Sequence, residues 1–316
     1  MNPVLRKNVL LLLLCLLVTC ADLVWQLPET DVFLTFRLPR VLAAVCAGIC
    51  LSLCGLVLQS LFRNPLAGPF LIGITPGASF ATGLLLLVFP HGLGGGLLQE
   101  IGLAGAGMAG GMLVLLLQLR LSRGMNGLFA LLLTGVMLSY LLGAGVEIME
   151  TFAGAEQVRS FVMWGQGNFD RVQLQQLWIF GLFSAAGLVA VFMLRYQLDA
   201  WLPGEHYARN AGVNTGTLRI TTIWLTGMLA GVTTALCGPV GFVGLVAPHL
   251  ARLQTKSNRH GTLLFPVMLW GILLCALADL LAHHLFGKFT LNVNAVCAIL
   301  GAPVVLWTLW KTRLSD

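Results

Sequence analysis

Apolar residues come in unbroken runs near twenty residues long, parted by short polar or basic knots. Such runs predict membrane-crossing helices, because strands of a membrane barrel alternate polar and apolar over about ten residues. Ten runs stand out, at about 8–25, 40–61, 73–89, 99–121, 126–148, 172–194, 220–240, 242–253, 263–286 and 291–310. The third is irregular, with Gly68, Pro69, Gly73, Pro76 and Gly77 at its start, and the eighth is short. Arg6 and Lys7 before the first run resemble the start of a signal peptide, but the length of the run and the many spans after it predict a retained helix. Residues 147–171 form a polar, mostly acidic stretch holding Phe161, Trp164 and Phe169, as an interfacial short helix would.

One run is interrupted. Residues 237–252 read C-G-P-V-G-F-V-G-L-V-A-P-H-L-A-R. Gly238, Pro239, Gly241, Gly244 and Pro248 break a helical ladder, and His249 and Arg252 follow. In a membrane the run is either a kinked structural helix or a deliberate break whose freed backbone meets neighbouring helices or lines a path.

Composition fixes the class. The 316 residues are 58% hydrophobic and 9% charged, against roughly 25% charged in soluble domains. The chain is an integral membrane protein, and residues 1–316 read as a single all-α, polytopic transmembrane domain. Its net charge of +6 does not argue for nucleic acid, because basic residues gather at cytoplasmic loops. Ten spans with both termini inside put thirteen of the 18 basic residues in the cytoplasm, as the positive-inside bias requires.

Candidate chemistry is sparse. The eight cysteines all lie in apolar runs, which argues against disulfides. Cys46, Cys50 and Cys54 share one helix face and are either a soft-metal site or small packing residues, of which packing is the commoner use. No H-E-x-x-H or G-x-S-x-G motif occurs, and without a Walker A motif the chain cannot by itself grip ATP, so no cofactor of its own is expected. Asp279 lies deep in a run and is a functional or hydrogen-bonding acid.

Several separated motifs then agree. Arg37-Leu38-Pro39-Arg40, the stretch from Leu58 and Gln59 through Asn64-Pro65-Leu66-Ala67, the Gly238 to His249 run, Ala278-Asp279-Leu280-Leu281-Ala282 and Leu300-Gly301-Ala302-Pro303 resemble the FecCD family, in order and over nearly the whole chain. These are permease subunits of ABC importers for iron siderophores, haem and cobalamin. The resemblance implies about ten helices, several short or broken, in a permease that dimerises with an identical or paralogous subunit in the bacterial inner membrane. It implies two ATP-binding partner subunits that hold ATP and Mg2+, and a periplasmic binding protein that delivers the chelate. It places Arg37 and Arg40 at the outer rim as docking charges. It makes residues 196–218 the coupling loop, with Glu205, Ala208, Arg209 and Gly212 as its candidates. Gln59, Asn64, Pro65, Gly238, Pro239, Gly241, Gly244, Pro248, His249 and Asp279 fall on the family's motifs and are candidates for the translocation path or its structural frame, and Gly124-Met125-Asn126 corresponds to the inner gate.

The chain departs from the family pattern twice. His283 and His284 stand where an Arg is usual, leaving His283, His284 or Lys288 as the third docking charge. Asn292 and Asn294 replace the usual residues at the start of the last run and either face a hydrophilic chelate or cap the helix. A ferric siderophore is the expected cargo, with haem or cobalamin as the alternative. An ion-coupled carrier and an intramembrane enzyme built on Asp279, His283 and His284 are the rival classes.

Overall fold

The computed structural model describes residues 3–24, 33–70, 72–89, 97–121, 128–284 and 290–313. Those residues are helical with no strand among them. The helices are α1 (Pro3–Val24), α2 (Leu38–Leu61), α3 (Ile74–Gly83), α4 (Leu97–Leu121), α5 (Leu128–Phe152), α6 (Ala155–Gly165), α7 (Leu174–Trp201), α8 (Glu205–Asn210), α9 (Thr215–Cys237), α10 (Val243–Thr255), α11 (His260–His284) and α12 (Val293–Arg313). Among the described residues, seven helical segments are long and apolar enough to cross a membrane, and Ile74–Val88 and Val293–Trp307 are shorter apolar ones. With α10, they account for all ten runs expected from sequence.

Helix α2 is the axis of the packing. A π-helical turn, Phe33–Arg37, leads into it, and Pro39 sits in its first turn, where a missing N–H costs nothing. From Ala43 to Leu61 it is almost wholly buried, against α7, α9, α10 and α11. Lipid tails are as apolar as leucine, so close approach rather than hydrophobicity draws such helices together. A Cβ placed on Gly48 would stand 2.6 Å from the Gly271 carbonyl oxygen of α11, and one on Gly55 would overlap the Gly244 carbonyl of α10. Helices α4 and α9 meet in the same way, a Cβ on Gly107 falling 2.6 Å from Gly231 O.

The buried cysteines serve this packing. Cys50 Sγ lies 3.2 Å from Ser184 Oγ, and Cys54 Sγ donates to Thr226 O at 3.6 Å. All eight are free thiols, and no metal-holding cluster occurs among the described residues. The stretch expected to be interfacial turns its aromatic side chains inward: Phe161 and Trp164 of α6 pack with Leu87, and Phe169 is fully buried.

Candidate functional site: a helix break, a buried charge network and a short loop helix

The interrupted run is a real break. Helix α9 ends at Cys237, the chain crosses Gly238–Phe242 without helix, and α10 resumes at Val243. Gly238 takes φ +74°, a conformation that favours glycine, and a Cβ there would also collide with Trp164 O. Phe242 takes φ +64° despite its side chain, held between the break and Gly301 of α12. The opened backbone is satisfied from outside. Asn294 Oδ1 accepts the Gly241 N–H at 2.9 Å, and the Asn168 N–H donates to Cys237 O at 2.8 Å. Trp164 Nε1 donates to Ala235 O at 3.0 Å. Asn294 therefore braces the break, whereas Asn292 is exposed just before α12.

Further along, Gln59 Nε2 donates to Leu245 O at 3.1 Å, and the Arg252 guanidinium donates to Gln59 Oε1. Gln59 thus joins α2 to both ends of α10. Pro248 lies inside α10, and His249 keeps a buried Nε2 with no hydrogen-bond partner among the described residues. Asn64 Oδ1 caps the turn after α2 by accepting the Leu66 N–H at 2.9 Å, with Pro65 between them.

At the other end of α2 lies a network of charge that the sequence showed only in part. Arg40 is 8% exposed and points into the protein. Its Nη2 donates to Asp22 Oδ1 of α1 at 2.8 Å, and its Nε stands 3.0 Å from Asp279 Oδ2 of α11. Its Nη1 lies 3.7 Å from Asp170 Oδ1. His283 Nε2 meets Asp170 Oδ2 at 2.8 Å, while its Nδ1 lies 2.9 Å from the Asp279 carbonyl oxygen. Acceptors at both ring nitrogens are what a doubly protonated imidazole satisfies. His284 Nε2 reaches Asp22 Oδ1 at 3.1 Å. Partial burial raises the Asp170 carboxyl, but the His283 hydrogen bond and the nearby His283 and Arg40 charges outweigh it and hold it below the usual aspartate range.

Arg40 and His283 were expected as rim charges facing a second protein. In the structure both point at carboxylates of this chain, of which Asp22 and Asp279 are buried and need cations at contact distance, while Asp170 is partly exposed. Arg37 is half-buried, with Nη1 donating to Leu23 O at 3.2 Å. Lys288 and the expected gate Gly124-Met125-Asn126 lie outside the described residues. The sequence singled out Asp279 but not its partner Asp22, which lies near the end of α1. Asp22 is 1% exposed, and its one signal was its place inside the helical run that ends at Val24.

The loop between α7 and α9 holds α8. Gly204 (φ +139°) opens it and Gly212 (φ +82°) closes it, both in backbone that favours glycine. Glu205 bridges Arg209 at 2.8 Å and Arg219 at 3.0 Å. Slight burial raises the Glu205 carboxyl, but Arg219 and Arg209 hold it below its ordinary value. Ala208 is fully buried under the short helix, and Asn214 Oδ1 caps α9 by accepting the Thr217 N–H at 3.1 Å.

Two ties anchor the base of this loop. Trp201 Nε1 donates to Leu61 O of α2 at 3.1 Å. Asp199 Oδ1 lies 2.6 Å from His260 Nδ1, and His260 Nε2 lies 2.7 Å from Ser60 Oγ. That order is the one used in acyl transfer, but Ser60 and His260 are each 1% exposed, so no substrate reaches the hydroxyl. It is a brace between α7, α11 and α2, and sequence reading missed it because its members are far apart in the chain.

The FecCD transport family model matches residues 10–311. The chain belongs to the FecCD transport family. The hemin transport system permease protein HmuU of Yersinia pestis is 33% identical over 293 residues, 92% of this chain and 85% of that one. The vitamin B12 import system permease protein BtuC of Citrobacter koseri is 34% identical over 313 residues, 97% of this chain and 93% of that one. A solved structure described as a candidate metal-chelate type ABC transporter, in an inward-facing conformation, is similar with a TM-score of 0.83 and 29% identity. The match covers 98% of this chain and 99% of that one. The PsaBC structure from Streptococcus pneumoniae shares the fold, with a TM-score of 0.63 at 18% identity. This FecCD chain is thus a membrane-spanning permease of an ABC importer, not its ATPase.

Proposed function

We propose that this permease carries a ferric siderophore or a similar iron chelate from periplasm to cytoplasm across the bacterial inner membrane, with both termini in the cytoplasm. The observation that supports the reading most is the match of the whole membrane domain to a metal-chelate type transporter. Haem or cobalamin is the second reading, favoured by the curated relatives. The chain works as a dimer with an identical or paralogous permease. Two partner subunits bind and hydrolyse ATP with Mg2+, and a periplasmic binding protein hands over the chelate. Arg37 and Lys288 serve as docking charges, while Arg40 and His283 tie α1, α2 and α11 together beside them in the chain. Residues Glu205, Ala208, Arg209 and Gly212 form the contact through which ATP hydrolysis biases the permease between outward and inward access.

Deletion of the gene tests the substrate. Uptake of radiolabelled ferric siderophore is expected to fall to background and to return with the plasmid-borne gene, with haem and cobalamin uptake unchanged. Loss of haem or cobalamin uptake alone would move the assignment to that cargo. Gly212→Pro tests the coupling role. Proline fixes φ near −65° and removes the Gly212 N–H that bonds Arg209 O at 3.0 Å. Uptake is expected to drop at least tenfold while the variant remains in the membrane, and full uptake would remove α8 from the coupling path.

A further inference from the structure

A groove of about 760 Å3 opens between α1, α10 and α11, near the end of α1 that carries Arg6 and Lys7. Leu10 and Leu14 of α1 line one wall, and Leu250 and Leu253 of α10 the other. The groove exists because α1 is fastened elsewhere. Leu11, Cys15 and Val18 pack on Leu269, Leu273 and Ala276 of α11, and Cys15 Sγ donates to Leu269 O at 3.2 Å. That contact leaves α1 standing off α10.

The groove's own polar groups are already satisfied. Trp270 Nε1 donates to Gln254 Oε1 at 2.7 Å, and Gln254 Nε2 donates to Asn8 Oδ1 at 2.7 Å. What remains is an apolar slot with two exposed cations at its mouth, Arg6 and Lys7, neither with an ion-pair partner among the described residues. Eight residues separate Arg6 from Leu14, about 12 Å along a helix, which is close to one leaflet of a hydrocarbon core about 30 Å thick. A slot open to hydrocarbon takes up a chain, and paired cations at headgroup level select a negative charge above it.

We propose that this groove is a binding site for an anionic phospholipid, one acyl chain lying between Leu14 and Leu253 and the phosphate held by Arg6 and Lys7. The site is independent of the cargo and of the ATPase contact, since it lies on the far side of α10 from Gln59 and needs only the leaflet at the Arg6 end of α1.

Native mass spectrometry of the full-length purified protein, back-titrated with phosphatidylglycerol, cardiolipin or phosphatidylcholine of equal chain length, tests it. Retention of the anionic lipids is expected to exceed that of phosphatidylcholine by about tenfold, and Arg6→Gln with Lys7→Gln is expected to erase the preference. Leu14→Trp keeps both charges and fills the slot at a position already 41% exposed, so folding is expected to survive and retention to fall by a similar factor. Equal retention of all three lipids would overturn the site. So would unchanged retention in Leu14→Trp, which would mean adsorption to the cations alone. A cross-link to another polypeptide in native membranes that appears with Leu14→Cys and not with the unaltered protein would show a protein seated there instead, and would also overturn it.

Discussion

Replacing Arg40 with alanine is expected to cost about 3–5 kcal/mol, the loss seen when one partner of a buried ion pair is removed. The guanidinium stands between Asp22, Asp279 and Asp170, and the first two are 1% and 0% exposed. Without it two buried carboxylates lose their nearest cation, and α1, α2 and α11 lose their common tie. The unfolding temperature of the detergent-purified variant should fall by many degrees. Asp279→Ala in the same background is expected to recover part of the loss, because it removes one of the stranded charges, giving a favourable coupling in the double-mutant cycle. A near-native melting temperature for Arg40→Ala would mean that water, not protein, solvates these acids.

Gly55→Val is expected to be as damaging for a steric reason. Its Cβ would occupy the place of the Gly244 backbone, so neither a rotamer change nor a side-chain shift relieves it, and α2 must separate from α10. Overpacking costs typically about 1–3 kcal/mol, and a backbone collision lies at or beyond the upper end. Little monodisperse protein should survive gel filtration. Gly105→Ala is the matched control, since nothing lies within 4 Å of its added Cβ, and helix propensity alone favours alanine by about 0.5–1 kcal/mol. Equal losses at both positions would point to a general intolerance of glycine replacement rather than to the α2–α10 contact.

The helices were legible because hydrocarbon leaves a chain no other way to satisfy its backbone, so length and apolarity sufficed. The break at Gly238–Phe242 and the short helix before Gly212 were legible for a related reason, since glycine and proline mark where the ladder stops. Directions of side chains were not. Arg37 and Arg40 are three residues apart where the π-helical turn runs into α2, yet only Arg40 is buried against carboxylates. Sequence gives their chemistry but not the positions of Asp22 and Asp279, which come from α1 and α11, helices far apart in the chain that pack together. The same limit hid Asp199, His260 and Ser60, whose partnership exists only after three helices have packed.

Helix α9 differs from the three helices that follow it in the chain in one respect that bears on mechanics. Pro248, Pro266 and Pro303 interrupt α10, α11 and α12, but the 23 residues of α9 contain no proline. At 1.5 Å per residue it is a strut of about 34 Å. One end, capped by Asn214, is seated beside α8, and the other stops at Cys237, whose carbonyl is held by Asn168. A strut without a hinge moves as a whole. Displacement imposed at Thr215 arrives at the Cys237 end with little lost to bending, and the first compliant joint it meets is the unwound Gly238–Phe242 segment.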